Sequence, residues 1–241
     1  MKKLLIIFIF LFNFQNAFGQ DFNFPTSADY PNLPVKGNTI NDFVPKGWKI
    51  IDKAFGDLNG DKNPDSVLIT KANYARFLNK NEGLGDDPFD TNPRMLVVLF
   101  KIDGEYKIAK QNNSFIVIPD SPVMAEPFKS VNIINAVLRL DFELWYSAGS
   151  WSASEYSYKF KYQNREFKLI GADKTESARN TGESETRSYN FLTGKMKIST
   201  GNIEEDKKGK ASWKTFKLKK LKTFETFNKP FSWEIETDYF L

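Results

Sequence analysis

Residues 156–169 read Tyr-Ser-Tyr-Lys-Phe-Lys-Tyr-Gln-Asn-Arg-Glu-Phe-Lys-Leu. From position 156 to position 162 every second residue is aromatic, and the residues between them are serine or lysine. A strand points successive side chains to opposite faces, so this alternation predicts one buried and one solvent-facing surface. Residues 163–165 are polar and suit a turn, after which Phe167 and Leu169 resume the apolar face. The stretch predicts an antiparallel hairpin.

Similar hairpin signals occur on both sides of this stretch. Asp103-Gly104, a pair typical of two-residue hairpin turns, separates the apolar run 95–100 from residues 106–109. Asn135-Ala136 and Thr193-Gly194 separate two further pairs of apolar segments, and no segment shows a convincing helical stripe. We therefore expect an all-β fold of antiparallel hairpins and a meander in one domain, arranged as a sandwich, a barrel or partial propeller-like sheets.

The N-terminal residues predict export. Lys2 and Lys3 precede an apolar run over residues 4–12, and residues 17–19 are Ala-Phe-Gly, which suits signal-peptidase cleavage. We expect a signal peptide over 1–19, an extended Pro-rich arm over 20–46 and a single β-domain over 47–241. The expected location is the periplasm, the cell surface or the extracellular space, with no transmembrane segment in the mature chain.

Composition excludes several kinds of chemistry. The 241 residues include no histidine and no cysteine. A thiol nucleophile, a disulfide, a thiolate or imidazole metal site and a Ser-His-Asp triad are therefore all impossible. The formal net charge is +4, too small to favour nucleic acid as a partner.

One loop carries a recognisable pattern of oxygen ligands. Residues 56–69 read Gly-Asp-Leu-Asn-Gly-Asp-Lys-Asn-Pro-Asp-Ser-Val-Leu-Ile. Calcium takes six to eight oxygen ligands, and closely spaced carboxylates repel one another unless a cation lies between them. The pattern predicts a structural calcium site, and the alternative is an Asx-rich turn that binds no metal. The candidate ligands are Asp57, Asn59, Asp61, Asn63 and Asp65.

This loop resembles the calcium loops of FG-GAP repeats, found in integrin-α-type propellers, in which acidic residues precede a short apolar strand. The resemblance implies side-chain oxygens from Asp57, Asn59, Asp61 and Asp65 and a backbone carbonyl from Asn63. Lys62 departs from the pattern, which has glycine there, and a left-handed backbone at a lysine costs about 1 kcal/mol. A second likeness is carried by residues 43–48 (Phe-Val-Pro-Lys-Gly-Trp), 56–59 (Gly-Asp-Leu-Asn) and 182–186 (Gly-Glu-Ser-Glu-Thr). The mature chain resembles uncharacterised exported proteins of Bacteroidota-type bacteria over most of its length, a likeness that implies no activity.

We expect a non-enzymatic binding or envelope-associated module, its ligand unknown and its partner a glycan or an envelope component. The alternative is a secreted carbohydrate-active enzyme that uses a carboxylate pair from Glu176, Glu183 and Glu185. A purely structural envelope protein is a third possibility.

Two further groups of residues each have two interpretations. The aromatic residues at 145, 146, 151 and 156 suit either sugar stacking or a sheet core, and we favour the core. Lysines over 207–222 suit either anionic glycans or protection of an edge strand, and we favour protection.

Overall fold

The computed structural model describes residues 20–202 and 209–241, so the predicted signal peptide over 1–19 lies outside it. The described residues form short 3-10 turns and sixteen strands. The turns span Ser27–Asp29, Ile40–Phe43 and Ala75–Phe77. The strands are β1 (Lys36–Gly37), β2 (Trp48–Gly56), β3 (Asp65–Ala72), β4 (Leu78–Asn79), β5 (Phe89–Asp90), β6 (Arg94–Ile102), β7 (Glu105–Asn112), β8 (Phe128–Ile134), β9 (Val137–Leu144), β10 (Ser152–Gln163), β11 (Glu166–Ala178), β12 (Glu183–Asn190), β13 (Lys195–Asn202), β14 (Ala211–Thr215), β15 (Glu234–Glu236) and β16 (Tyr239–Phe240).

Two antiparallel sheets make up most of the fold. Five strands pair in the order β1-β7-β6-β3-β2, and seven pair in the order β14-β13-β12-β11-β10-β9-β8. The edge strands β2 and β8 lie beside each other, where the Val131 N–H donates to the Asp52 carboxylate at 2.9 Å. The prediction of an all-β fold built from antiparallel hairpins in one domain is confirmed.

The two sheets share one apolar core, the arrangement of a β-sandwich. Val67, Ile69 and Val98 from the five-stranded sheet belong to the same buried cluster as Leu140 and Phe160 from the seven-stranded sheet. The face of the seven-stranded sheet that points away from this core, here called the outer face, carries the alternate polar residues. The sandwich is therefore the correct choice among the three predicted arrangements.

The predicted turns lie where the sequence places them. Asp103 and Gly104 both have positive φ, 54° and 85°, between β6 and β7. Asn135 and Ala136, with φ of 52° and 59°, join β8 to β9 in the same way. Two central residues in the left-handed region define the hairpin turn whose twist matches the flanking strands.

The arm over 20–46 covers the second face of the five-stranded sheet. Phe43 is fully buried there against Trp48, Leu68 and Val97. The arm contains two 3-10 turns and strand β1, which pairs with β7, so it is less extended than expected. Each turn has an N-terminal threonine bonded to the acidic residue three positions later, a local contact that the proline pattern does not reveal.

The last 26 residues fill the sandwich with little regular structure. Phe224, Phe227, Tyr239 and Leu241 are buried in the shared core. Within 20–202 and 209–241, no helix has the length and apolar character needed to cross a membrane.

Candidate functional site

The predicted calcium loop connects β2 to β3 and is closed by its own hydrogen bonds. The Asp57 carboxylate accepts the backbone N–H of Gly60 at 2.6 Å and of Lys62 at 2.9 Å. Asp61 accepts the Asn63 backbone N–H at 2.7 Å and the Asn59 side-chain amide at 3.0 Å. These bonds lower the pKa of the Asp61 carboxyl, first through the backbone N–H of Asn63.

Asp65 lies apart from the other candidate ligands, because its side chain points into the protein. It is fully buried, and its carboxylate accepts the N–H groups of Leu58 at 2.8 Å, Asn59 at 3.3 Å and Lys101 at 3.0 Å. Burial raises the pKa of this carboxyl, in spite of the three donors that favour the charged form. Asp65 therefore anchors the loop to the end of β6.

The loop backbone has the strain expected at Lys62, whose φ is +69°. In the part of the chain that the structure describes, no group of three or more acidic side chains is placed to hold a metal ion. Each carboxylate oxygen has two lone pairs, so Asp57 and Asp61 retain acceptor capacity towards solvent after bonding the loop amides. Calcium binding stays a prediction, carried by the solvent-facing residues rather than by Asp65.

The three predicted glutamates line one groove of about 770 Å³, and two of them lie directly opposite each other. Glu176 on β11 and Glu185 on β12 are direct cross-strand partners, whereas Glu183 pairs with Asn202. Both members of the pair are bound by a cation on their own strand. Lys174 Nζ lies 2.8 Å from Glu176, and Arg187 Nε lies 2.7 Å from Glu185.

The four aromatic residues at 145, 146, 151 and 156 do not share one environment. Tyr156 is buried in the shared core, as predicted, but Trp151 is 75% exposed. The Arg179 guanidinium lies 4.8 Å from the Trp145 ring centroid, and Tyr146 donates to Asp120 at 2.8 Å. The preference for a core role is therefore wrong for Trp151.

The outer face carries a feature that the sequence analysis missed. Strand register places one residue from each of the seven strands directly opposite the next, and directly opposite residues share a face. This line of residues, here called the polar row, is Ser130, Asp141, Ser157, Asp173, Ser188, Lys197 and Trp213. Neighbouring strands lie about 4.8 Å apart, so the row is about 29 Å long.

The half of the row nearer β8 is acidic and largely ion-paired. Arg139 Nε lies 2.7 Å from Asp141, and Lys159 Nζ lies 2.6 Å from Asp173. Between these two acids lies Ser157, which is 6% exposed and whose buried hydroxyl has no hydrogen-bond partner. A groove of about 350 Å³ lies over this region and is lined by Ser157, Asp141, Asp173 and Glu155 among others.

The other half of the row is basic and aromatic. Trp213 on the edge strand β14 is 68% exposed, and Lys197 lies directly opposite it. A second groove, of about 490 Å³, is lined by both residues and by Lys195, Ser188 and Asn190. Asp173 lines both grooves, so they adjoin along the row.

The polar row offers hydroxyl, carboxylate and ammonium groups in one line, with an aromatic ring at one end. Such groups can bond the hydroxyls of an extended polar ligand while the ring packs on an apolar part of it. The members of the row are 9 to 16 positions apart in sequence. The sequence gives one sign of the row: the polar residues 157, 159 and 161 alternate with the aromatic ones, which predicts a polar face on this strand. Which residues of other strands lie beside them is known only from the strand register.

No protein family, curated protein or solved structure matches the chain.

Proposed function

We propose that the protein is an exported, non-enzymatic binding module that holds a glycan on the outer face of the seven-stranded sheet. The observation that carries this proposal is the polar row, with the exposed ring of Trp213 at its end. Export rests on the sequence of residues 1–19.

The groove over Ser157 supports the choice of a hydroxyl-rich ligand. A buried hydroxyl without a partner costs about 1–3 kcal/mol, and rotation of the Ser157 side chain towards a ligand hydroxyl in the groove would remove that cost. The neighbouring carboxylates of Asp141 and Asp173 are paired with side-chain cations, so most of their negative charge is neutralised. They can still accept hydrogen bonds from ligand hydroxyls. This environment favours sugar hydroxyls over a free cation.

We predict that Trp213→Ala abolishes most glycan binding. Loss of the aromatic platform weakens binding at least about tenfold, equivalent to about 1.4 kcal/mol. The measurement is affinity electrophoresis through gels that contain xylan, dextran or polygalacturonate. The unmodified protein should be retarded by at least one of them, and the variant should not.

Trp151→Ala is the matched control, because Trp151 is similarly exposed but lies off the row, immediately before β10. It should be retarded like the unmodified protein. No retardation by any polysaccharide, or equal losses in the two variants, would contradict the proposal.

The carbohydrate-active enzyme stays the second candidate, because Glu176 and Glu185 are cross-strand partners in a groove that Glu183 also lines. Release of shorter oligosaccharides during the same assay, lost in both Glu176→Gln and Glu185→Gln, would favour it over the binding module.

We further propose that calcium binds the solvent-facing side of the 57–63 loop and stabilises the fold. At ten times its dissociation constant an ion adds about 1.4 kcal/mol to the free energy of unfolding. Thermal melting should therefore shift upward by several degrees in millimolar calcium relative to EDTA, and not in magnesium. Asp57→Ala and Asp61→Ala should abolish the shift, and Glu183→Ala should keep it. Equal calcium responses in all three variants would remove the loop from consideration.

A further inference from the structure

The end of the polar row near β14 differs in charge from the rest of the outer face. Lys195 and Lys197 form no ion pair within residues 20–202 and 209–241. Lys159, which lines the same groove, is bound to Asp173 at 2.6 Å. Two ammonium groups that have no acidic partner among the described residues therefore line one groove.

Apart from Asp173, which is bound by Lys159, the polar side chains around these lysines can donate hydrogen bonds. Asn190 uses its side-chain oxygen to accept the N–H groups of Leu192 and Thr193, both at 3.1 Å, which leaves its amide nitrogen to donate. Ser188 lies directly opposite Lys197, and Asn190 lies directly opposite Lys195. Two ammonium groups, an amide nitrogen and a hydroxyl thus line the groove beside the exposed Trp213 ring.

We propose that this groove binds an acidic sugar residue of a polysaccharide, with the sugar ring packed on Trp213 and its anionic group between Lys195 and Lys197. The inference rests on the proposed function and specifies its ligand. Ammonium groups favour an anion by charge, while a flat ring suits a sugar face better than it suits a free inorganic ion.

A carboxylate beside the row supports the same assignment. Glu155, two positions before Ser157 on β10, lies opposite Glu143 and has no ion pair among the described residues, whereas Glu143 is bound by Lys129. The strands that carry Glu155 and Lys197 are three positions apart in the sheet, a spacing of about 14 Å. An acidic residue of the ligand is therefore attracted at the Trp213 end of the row and repelled near Ser157, where Glu155 lies, which fixes the position of the anionic group along the row.

The test compares ligands that differ in charge alone. Oligogalacturonate is titrated against its fully methyl-esterified form, and dextran sulfate against dextran, by isothermal calorimetry on the protein at about 0.01 M and about 1 M ionic strength. We expect at least one anionic ligand to bind about tenfold more tightly than its neutral partner at low salt. The preference should vanish at high salt, where screening acts within about 3 Å.

Lys195→Gln/Lys197→Gln should remove the preference, because it weakens binding of the anionic ligand more than binding of its neutral partner. Lys219→Gln/Lys220→Gln is the matched control, because it makes the same charge change at exposed lysines outside the groove, and it should keep the preference.

Equal affinity for charged and neutral forms would overturn this inference and leave the proposed function standing. Absence of binding to all four ligands would overturn both. If the preference for the anionic ligand is lost only in Lys219→Gln/Lys220→Gln, the anionic group binds the lysine-rich segment. That result would overturn the assignment of the anion site to the groove.

Discussion

Phe115→Ala is expected to lower the free energy of unfolding by about 4 kcal/mol, near the upper end for a single large-to-small change. Phe115 lies on the connection between the two sheets and is fully buried. Its ring contacts five others at centroid distances of 5.2–6.1 Å, all close to edge-to-face. Those rings come from β9, β10 and the C-terminal segment, so the cavity left by truncation lies where three parts of the fold meet.

Chemical denaturation measures this loss, and Phe55→Ala is the control. Phe55 lies on β2 with half of its side chain exposed, so its truncation should cost less than about 1 kcal/mol. Similar losses in the two variants would show that the core is not centred on Phe115.

Asp65→Ala is expected to cost about 3 kcal/mol, because it leaves three backbone N–H groups without their acceptor in a buried site. The matched control is Asp61→Ala in the same loop. Asp61 is exposed and accepts one backbone N–H, so its loss should be below about 1 kcal/mol. Equal losses, measured by denaturation in EDTA, would contradict the anchoring role of Asp65.

The cost of Asp65→Ala should also depend on pH. Burial raises the pKa of the Asp65 carboxyl in the folded protein above its ordinary value. A carboxyl of this kind adds most stability below its unfolded-state pKa, and that contribution falls as the pH rises through the folded-state pKa. The difference in free energy of unfolding between the unmodified protein and Asp65→Ala should therefore be larger near about pH 3.5 than near about pH 7.

Local features of this fold follow from the sequence. The alternation over 156–162 predicts β10, and the Asp103-Gly104 pair predicts the turn between β6 and β7, because both depend on residues within a few positions of each other.

Long-range features do not follow from it. Val131 bonds Asp52 across 79 positions, and β1 pairs with β7 across about 70, so neither contact has a local signal. The position of Phe115 at the centre of the core depends on the packing of both sheets and of the irregular C-terminal segment. An isolated phenylalanine in a loop gives no sign of that position.

The candidate sites divide in the same way. The oxygen-rich loop over 57–65 is evident from the spacing of its residues. The sequence does not show which carboxylate points inward, because Asp65 is held there by the backbone N–H of Lys101 at the end of β6. The polar row has no sequence pattern, since each member comes from a different strand. Only the register of four successive strand pairs aligns Ser157 with Trp213 on one face.

The central claim is that the outer face of the seven-stranded sheet is the ligand-binding surface. Its most direct test is nitrogen-15 NMR of the five tryptophan indole N–H signals during titration with oligogalacturonate. The Trp213 signal, assigned with Trp213→Phe, should shift progressively and saturate, while those of the buried Trp48 and of Trp151, which lies off the row, should stay in place. A shift of the Trp151 signal with none at Trp213 would place the ligand elsewhere and contradict the account.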